Sequence, residues 1–235
     1  MRLGRVPNDG MDYEKVHQPS FAELELVLDA GDAVRTEAGS MVSYSGPMTV
    51  ASGEEEAADR GLFEGVERAA LSDSFVVNTF EADGPAKLTL APPFPGDISP
   101  YELRDESLYV QSASFLAAAA DVDLDVAFDG DRTFFGGRDT FLLELVGAGL
   151  AFLSSYGAIS VVSLDSGERH VVDTGHVVAF EDSVDVEVER VDGLTSTMDD
   201  EGLVCKFEGP GNIWRQSRSP DAFLAWLGPN LPDDE

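Results

Sequence analysis

Short runs in which apolar and polar residues alternate recur along the chain and predict β-strands. Val122–Val126 and Val184–Val188 alternate at every position, which is typical of a strand with one buried and one exposed face. Twenty-three glycines separate such runs and indicate turns. Helical patterns are scarce: we expect helices only at Gly61–Ala70 and at Pro220–Leu227, the second capped by Ser219. The pattern predicts an all-β fold with a short C-terminal helix.

A turn-and-strand motif occurs three times. In Leu28–Tyr44 and Leu164–Phe180, a leucine leads into a turn of glycine and acidic residues, and a later glycine opens an apolar strand. A weaker copy, Leu103–Leu116, has Ala113 in place of that later glycine, so we expect a slightly different turn there.

A second motif is interleaved with the first. Its copies, each with a central glycine between strand-forming residues, are Phe80–Leu88, Leu145–Leu153 and Phe207–Arg215. The glycines at positions 84, 149 and 211 predict tight hairpins, because a positive φ is free of steric strain in glycine. Two motifs in the same order three times predict three repeated β modules.

The repeats run on without a linker rich in proline or serine, which predicts one continuous domain. We expect a loose N-terminal extension at 1–10, a single β domain at 11–231 and an acidic tail at 232–235. A hydrophobic content of 43% is sufficient for a core. The apolar stretch Phe141–Leu164 is long enough for a membrane span, but its glycines, serines and adjacent valines favour buried strands around a hairpin.

Charge narrows the choice of partners. The chain has 45 acidic and 15 basic residues, a net charge of −30, and the acids are spread along its length. This distribution favours adaptation to concentrated intracellular salt over a docking face for a basic partner, and predicts destabilisation at low ionic strength. It also argues against binding to nucleic acid or to an anionic membrane surface, which both require clustered cations.

Cysteine usage and the N-terminal sequence indicate a cytoplasmic protein. Cys205 is the single cysteine and lies in a strand pattern, so we expect a buried structural thiol and no intrachain disulfide. The N-terminus has no apolar segment typical of a signal peptide.

Candidate chemistry is sparse. His170, Asp173 and His176 lie within seven residues and could serve a metal-dependent enzyme, although the Thr174–Gly175 turn separates them and favours structural histidines. Neither a nucleophile elbow nor a phosphate-binding loop is present, and so many carboxylates make any chosen pair uninformative. The sequence therefore predicts no catalytic residue, no metal site and no cofactor.

Several segments together resemble a known family, named for altered inheritance of mitochondria, with members in prokaryotes and fungal mitochondria. They are Ala38–Val42, Ala91–Ile98, Ser154–Gly157, Val172–Phe180, Phe207–Gly211 and Trp214–Arg218. The resemblance extends from about Met11 to Leu231. It implies a double-stranded β-helix-like fold similar to the tryptophan RNA-binding attenuator superfamily, with modules around a pseudo-threefold axis. It implies no catalytic residue, and a shared fold does not imply RNA binding.

The leading functional hypothesis is a non-enzymatic cytoplasmic scaffold or interaction protein that forms homo-oligomers, since a β domain has sheet edges to cover. One alternative is a small-molecule binding protein with a pocket inside the β fold, contacted by Tyr156, His176 or Trp214. The other is the metal-dependent enzyme.

Overall fold

The computed structural model describes residues 11–52, 76–127, 141–191 and 202–231. Its strands, in chain order, are β1 (Asp12–Val16), β2 (Glu23–Leu28), β3 (Ala33–Glu37), β4 (Met41–Ser45), β5 (Met48–Ser52), β6 (Val77–Ala82), β7 (Ala86–Leu90), β8 (Ile98–Gln111), β9 (Phe115–Ala119), β10 (Val122–Val126), β11 (Leu142–Ser154), β12 (Ile159–Leu164), β13 (Arg169–Asp173), β14 (Val177–Glu181), β15 (Asp185–Arg190), β16 (Leu203–Glu208) and β17 (Gly211–Gln216). Strands dominate the described residues, which confirms the all-β prediction.

The C-terminal helix forms where the sequence places it. Helix α1 covers Pro220–Leu227, and the Ser219 hydroxyl accepts a hydrogen bond from the Ala222 amide. The other predicted helix, Gly61–Ala70, lies outside the described residues, as do the proposed extension at 1–10 and the tail at 232–235. No described helix is long and apolar enough to cross a membrane.

The strands form three antiparallel sheets. One has the order β1-β2-β7-β4, and another has the order β13-β16-β15. The largest sheet has the order β12-β17-β14-β8-β11-β9-β3-β6-β5, with β10 also paired to β11. Strands β8 and β11 pair with each other from Ile98 to Gln111 and are much longer than the rest.

The alternating pattern places one face of most strands in the core. In β2, the buried positions are Leu24, Leu26 and Leu28, and the residues between them, Glu25 and Val27, lie on the other face. Five phenylalanines are almost completely buried in the core: Phe80, Phe115, Phe152, Phe180 and Phe207. The apolar contacts fall into three clusters, each of which includes side chains from strands distant in sequence.

The structure corrects three of the predicted turns. Positions 84, 149 and 211 are not hairpins: Gly149 lies inside β11, and around Gly84 and Gly211 the chain passes from one sheet to another. The segment Leu103–Leu116 contains no early turn either, because Asp105 is an unpaired residue with φ of 63° within β8.

The later turn of that copy was also predicted wrongly. Residues 112–114 and 174–176 form similar 3-10 turns. The copy of the motif with Ala113 therefore has the same turn as the copy with Gly175. The first copy is the different one, because Gly39 has a φ of +86°. The threefold repeat itself stays a prediction. In Phe141–Leu164 much of β11 is buried but β12 is mostly exposed, and the predicted hairpin inside the segment is absent because β11 runs on through Gly149.

Candidate functional site at the meeting of three loops

Three loops meet beside the start of helix α1. The Gly157 amide donates to the Pro95 carbonyl at 2.9 Å, and the Ser155 amide donates to the Asp97 carbonyl at 3.1 Å. The Ser217 amide donates to the Ala158 carbonyl at 2.9 Å, which brings in the third loop. Because backbone groups make these contacts, the loops hold one another largely independently of their side chains.

Gly96 allows the closest approach between two of the loops. A Cβ atom at this position would overlap the Ser155 carbonyl oxygen, so only glycine fits without a backbone shift. The Ser155 hydroxyl supports the same contact: it donates to the Gly157 carbonyl at 2.9 Å and accepts from the Asp97 amide at 3.3 Å.

A buried glutamine connects these loops to the turn at 174–176. The Gln216 amide group accepts from the Tyr156 backbone amide at 2.8 Å and donates to the Gly175 carbonyl at 3.0 Å. The His176 ring nitrogen Nδ1 lies 2.9 Å from the Gln216 carbonyl oxygen. A carbonyl oxygen only accepts, so this contact assigns the proton of a neutral His176 ring to Nδ1.

Aromatic rings form one wall of the site. Tyr156 contacts Phe94 with ring centroids 5.1 Å apart, and Phe223 of helix α1 edge-on at 6.0 Å. Phe223 in turn stacks with Trp226 at 6.1 Å. The helix is thus attached to the sheets through Tyr156, although none of its residues is fully buried.

These elements enclose a pocket of about 100 Å³. Its lining is a mixture of prolines, aromatic rings and small polar side chains, including Gln111, Ser114 and Ser154, with Asp221 as the one charged residue among the described residues that line it. Pockets for drug-sized ligands measure about 300–1,000 Å³. The space suits a few waters or a very small molecule, and among the described lining residues no hydroxyl is hydrogen-bonded to a histidine or carboxylate base.

The residues predicted to contact a ligand are dispersed. Tyr156 lines the pocket, whereas His176 lies behind the Gln216 backbone. Trp214 is buried in the core, where its ring meets Tyr101 edge-on at 5.3 Å.

The candidate metal ligands do not converge. Asp173 accepts a hydrogen bond from the Gly175 amide at 3.0 Å and so caps the 3-10 turn. His170 lies opposite Phe207 in the β13–β16 pair, and His176 faces Gln216. In the described parts of the chain, no group of three His, Cys, Asp or Glu side chains could hold a metal ion.

Cys205 is fully buried in β16, as its strand pattern predicts. Burial, with a smaller contribution from the charge of Asp173, raises the pKa of its thiol to about 12. The thiolate is the reactive form, so this thiol is chemically inert in the folded protein.

Two polar side chains that sequence reasoning did not single out lie at the end of β3. Thr36 is buried, and among the described residues neither its hydroxyl nor one carboxylate oxygen of Glu37 has a hydrogen-bond partner. Burial raises the pKa of Glu37 to about 7. In a chain with 45 acidic residues, nothing in the sequence distinguishes Glu37 from the others.

The segment Met41–Ser52 is an uncharged part of the surface. It contains no Asp, Glu, Lys or Arg, although 26% of the chain is charged. All five residues of β4 are exposed, with Val42 at 53% and Tyr44 at 48%, and Val50 of β5 is exposed at 47%. Apolar side chains that are exposed along a segment without charge are typical of an interaction surface.

Antiparallel sheets around a buried apolar interior define an all-β protein. The chain belongs to the Mitochondrial biogenesis AIM24 family, which matches residues 13–218. The family resemblance in the sequence is thereby confirmed.

Two proteins from Streptococcus pyogenes are similar to this chain. An uncharacterised protein of a serotype M6 strain is 28% identical over 219 residues, covering 90% of this chain and 88% of the relative. The crystal structure of protein SPYM3_0169 is similar with a TM-score of 0.76 at 26% identity, covering 94% of this chain and all of that one. Neither name states an activity.

Proposed function

We propose that this protein is a non-enzymatic scaffold or interaction protein of the cytoplasm that acts through its sheet surfaces. The observation that carries this proposal is the uncharged segment Met41–Ser52, which exposes apolar side chains on a molecule with a net charge of −30. Solvation alone would favour charged residues at such positions.

The pocket supports the same proposal because it does not favour the alternative functions. Its polar groups Gln216 and Ser155 are engaged in holding the loops together, so they have little capacity left for a substrate. Its volume of about 100 Å³ does not favour the small-molecule binding alternative. The dispersed positions of His170, Asp173 and His176 give no support to a metal-dependent enzyme.

Affinity capture in molar KCl tests the proposal. The full chain carrying a tag is immobilised and exposed to untagged chain and, separately, to lysate of the source cells. We expect retention of a protein, either a second copy or another partner, in near-stoichiometric amount. A matched column with the variant Val42→Asp should retain much less, because the variant introduces a charge into the apolar surface. Retention of nothing by the wild-type column would overturn the proposal.

A further inference from the structure

Two strand pairings inside the chain follow one rule. In the first, β3 pairs with β9, and Thr36, three residues before Gly39, lies opposite Ala117, four residues after Ala113. In the second, β8 pairs with β14, and Val110, three residues before Ala113, lies opposite Ala179, four residues after Gly175. Gly39, Ala113 and Gly175 are the corresponding positions of the threefold motif, so each copy is joined to the next in the same register.

The same rule specifies a third pairing, between β13 and β4. It places Val172 opposite Ser43, and Val171 opposite Tyr44. Within the described residues these two edges are not paired: β4 is hydrogen-bonded only to β7, and β13 only to β16. Three modules therefore do not close on themselves, and the two edges at the ends of the series stay open.

The residues at the two open edges are more exposed than the corresponding residues of the paired strands. The strands that correspond to β4 are β9 and β14, and each buries four of its five residues, whereas β4 exposes all five. In the second pairing, Tyr109 and Phe180 lie opposite each other and their rings stack at 5.2 Å. The corresponding residues at the open edges, Val171 and Tyr44, are 52% and 48% exposed.

We propose that a second copy of this chain fills the gap, with β4 of one copy pairing antiparallel to β13 of the other in the register Tyr44 opposite Val171. The proposal rests on the proposed scaffold function and names its partner. Since the two edges differ, the contact is head-to-tail, so that repeated association produces a ring or an open chain of copies.

Charge does not oppose this contact between two copies. The net charge of −30 makes most pairs of surfaces repel each other. Strand β4 carries no charge, and β13 carries one cation, Arg169, and one anion, Asp173. Edge strands in soluble proteins normally carry charges or prolines that prevent pairing with another chain. Strand β4 has neither a charge nor a proline, as expected for an edge that pairs with another chain.

Mass measurement of edge variants in molar KCl tests the proposal. The wild type is expected at a multiple of 25.2 kDa by light scattering or native mass spectrometry. Tyr44→Asp removes one edge and Val171→Asp the other, so each variant alone is expected at 25.2 kDa. Val161→Asp is the matched control, because Val161 is also 52% exposed but lies on β12, and it should keep the wild-type mass.

Mixing the two edge variants provides the decisive result. Tyr44→Asp retains an intact β13 edge and Val171→Asp an intact β4 edge, so the mixture should form a one-to-one dimer and stop there. A mixture that stays at 25.2 kDa, or edge variants that keep the wild-type mass, would overturn the assigned register and edges while leaving the scaffold proposal intact. A monomeric wild type would overturn self-association as well, and capture of a different protein would then remain the test of the proposed function.

A cross-link keeps the proposal testable if the aspartate variants fail to fold. Residues directly opposite each other in antiparallel strands have Cα atoms about 4.5–5.5 Å apart, which a disulfide can span. Tyr44→Cys mixed with Val171→Cys should therefore form a disulfide-linked dimer on mild oxidation, whereas either variant alone should not. The buried Cys205 does not compete. Equal cross-linking in the single-variant samples would contradict the head-to-tail contact.

Discussion

At the scale of single residues, Glu37 combines burial with missing partners. Its carboxylate is mostly buried at the end of β3, and one of its oxygens has no hydrogen-bond partner among the described residues. A buried charge without compensation is unfavourable, so the folded protein holds a proton on Glu37 that the unfolded chain releases at lower pH.

We expect Glu37→Gln to stabilise the protein above neutral pH. The pKa of Glu37 is about 7 in the folded state against 4.5 in an unperturbed group, so wild-type stability falls as pH rises between these values. The variant lacks this loss. Its free energy of unfolding should match that of the wild type near pH 4 and exceed it at pH 8 by at most about 3 kcal/mol, the free-energy equivalent of the pKa shift of Glu37. Urea unfolding in molar KCl at both pH values measures the difference.

A control variant separates this effect from the general relief of acidic repulsion. Glu187 is exposed on β15, and Glu187→Gln removes the same charge without removing a buried group. Its effect on the free energy of unfolding should be small and should vary little with pH. An equal gain in both variants would attribute the effect to net charge instead of to the burial of Glu37.

At the scale of elements, the sequence is informative where the signal is local. Alternation in Val122–Val126 and the capping sequence Ser219-Pro220 each depend on neighbouring residues, and strand and helix form as predicted. The glycine motif at 84, 149 and 211 is also local, but whether a strand turns back or passes into the next sheet depends on partners far away. That information is absent from a short window, so the hairpins were predicted wrongly.

The pocket was predictable only in part. The segments that carry the family resemblance include Ala91–Ile98, Ser154–Gly157 and Trp214–Arg218, and the structure brings these three together. Tyr156 could be named in advance because an aromatic ring that follows a repeated turn can stack on a ligand. The role of Gln216 could not, since its two hydrogen-bond partners are distant in sequence.

Helix α1 provides a prediction at this scale. Ser219→Ala removes the hydroxyl that caps the helix at 3.4 Å from the Ala222 amide. Loss of a cap costs about 0.5–1 kcal/mol at the weak end, so amide hydrogens of the helix should exchange roughly two to five times faster. Ser219→Asp, which keeps an acceptor oxygen, is the control and should exchange like the wild type. Exchange that is equally fast in both variants would mean that packing, not the cap, limits the helix.

At the scale of the whole molecule, charge repulsion opposes the compact state. The chain has 45 acidic and only 15 basic side chains, and most ion pairs among the described residues are exposed, such as Arg169–Glu208 at 2.6 Å. Exposed pairs contribute little to stability, so we propose that dissolved salt reduces the repulsion by screening.

We therefore expect the melting temperature to rise between millimolar and molar KCl. The Debye length falls from about 30 Å at 0.01 M to about 3 Å at 1 M, which is less than the distance between most surface charges. Sucrose at matched osmolality is the control, because it stabilises by exclusion and leaves charges unscreened. A melting temperature that does not change with KCl would refute the adaptation to salt.

The two long strands at the centre have a consequence for how the protein opens. Strands β8 and β11 pair along their whole length, and each also holds shorter strands at one end or the other: β14 beside β8, and β9 and β10 beside β11. Separating them would disturb several neighbours at once, whereas β1 or β15 can detach by losing one neighbour. Partial unfolding should begin at edge strands such as β1 and β15 and reach β8 and β11 last. The backbone amides of this central pair should therefore exchange their hydrogens most slowly.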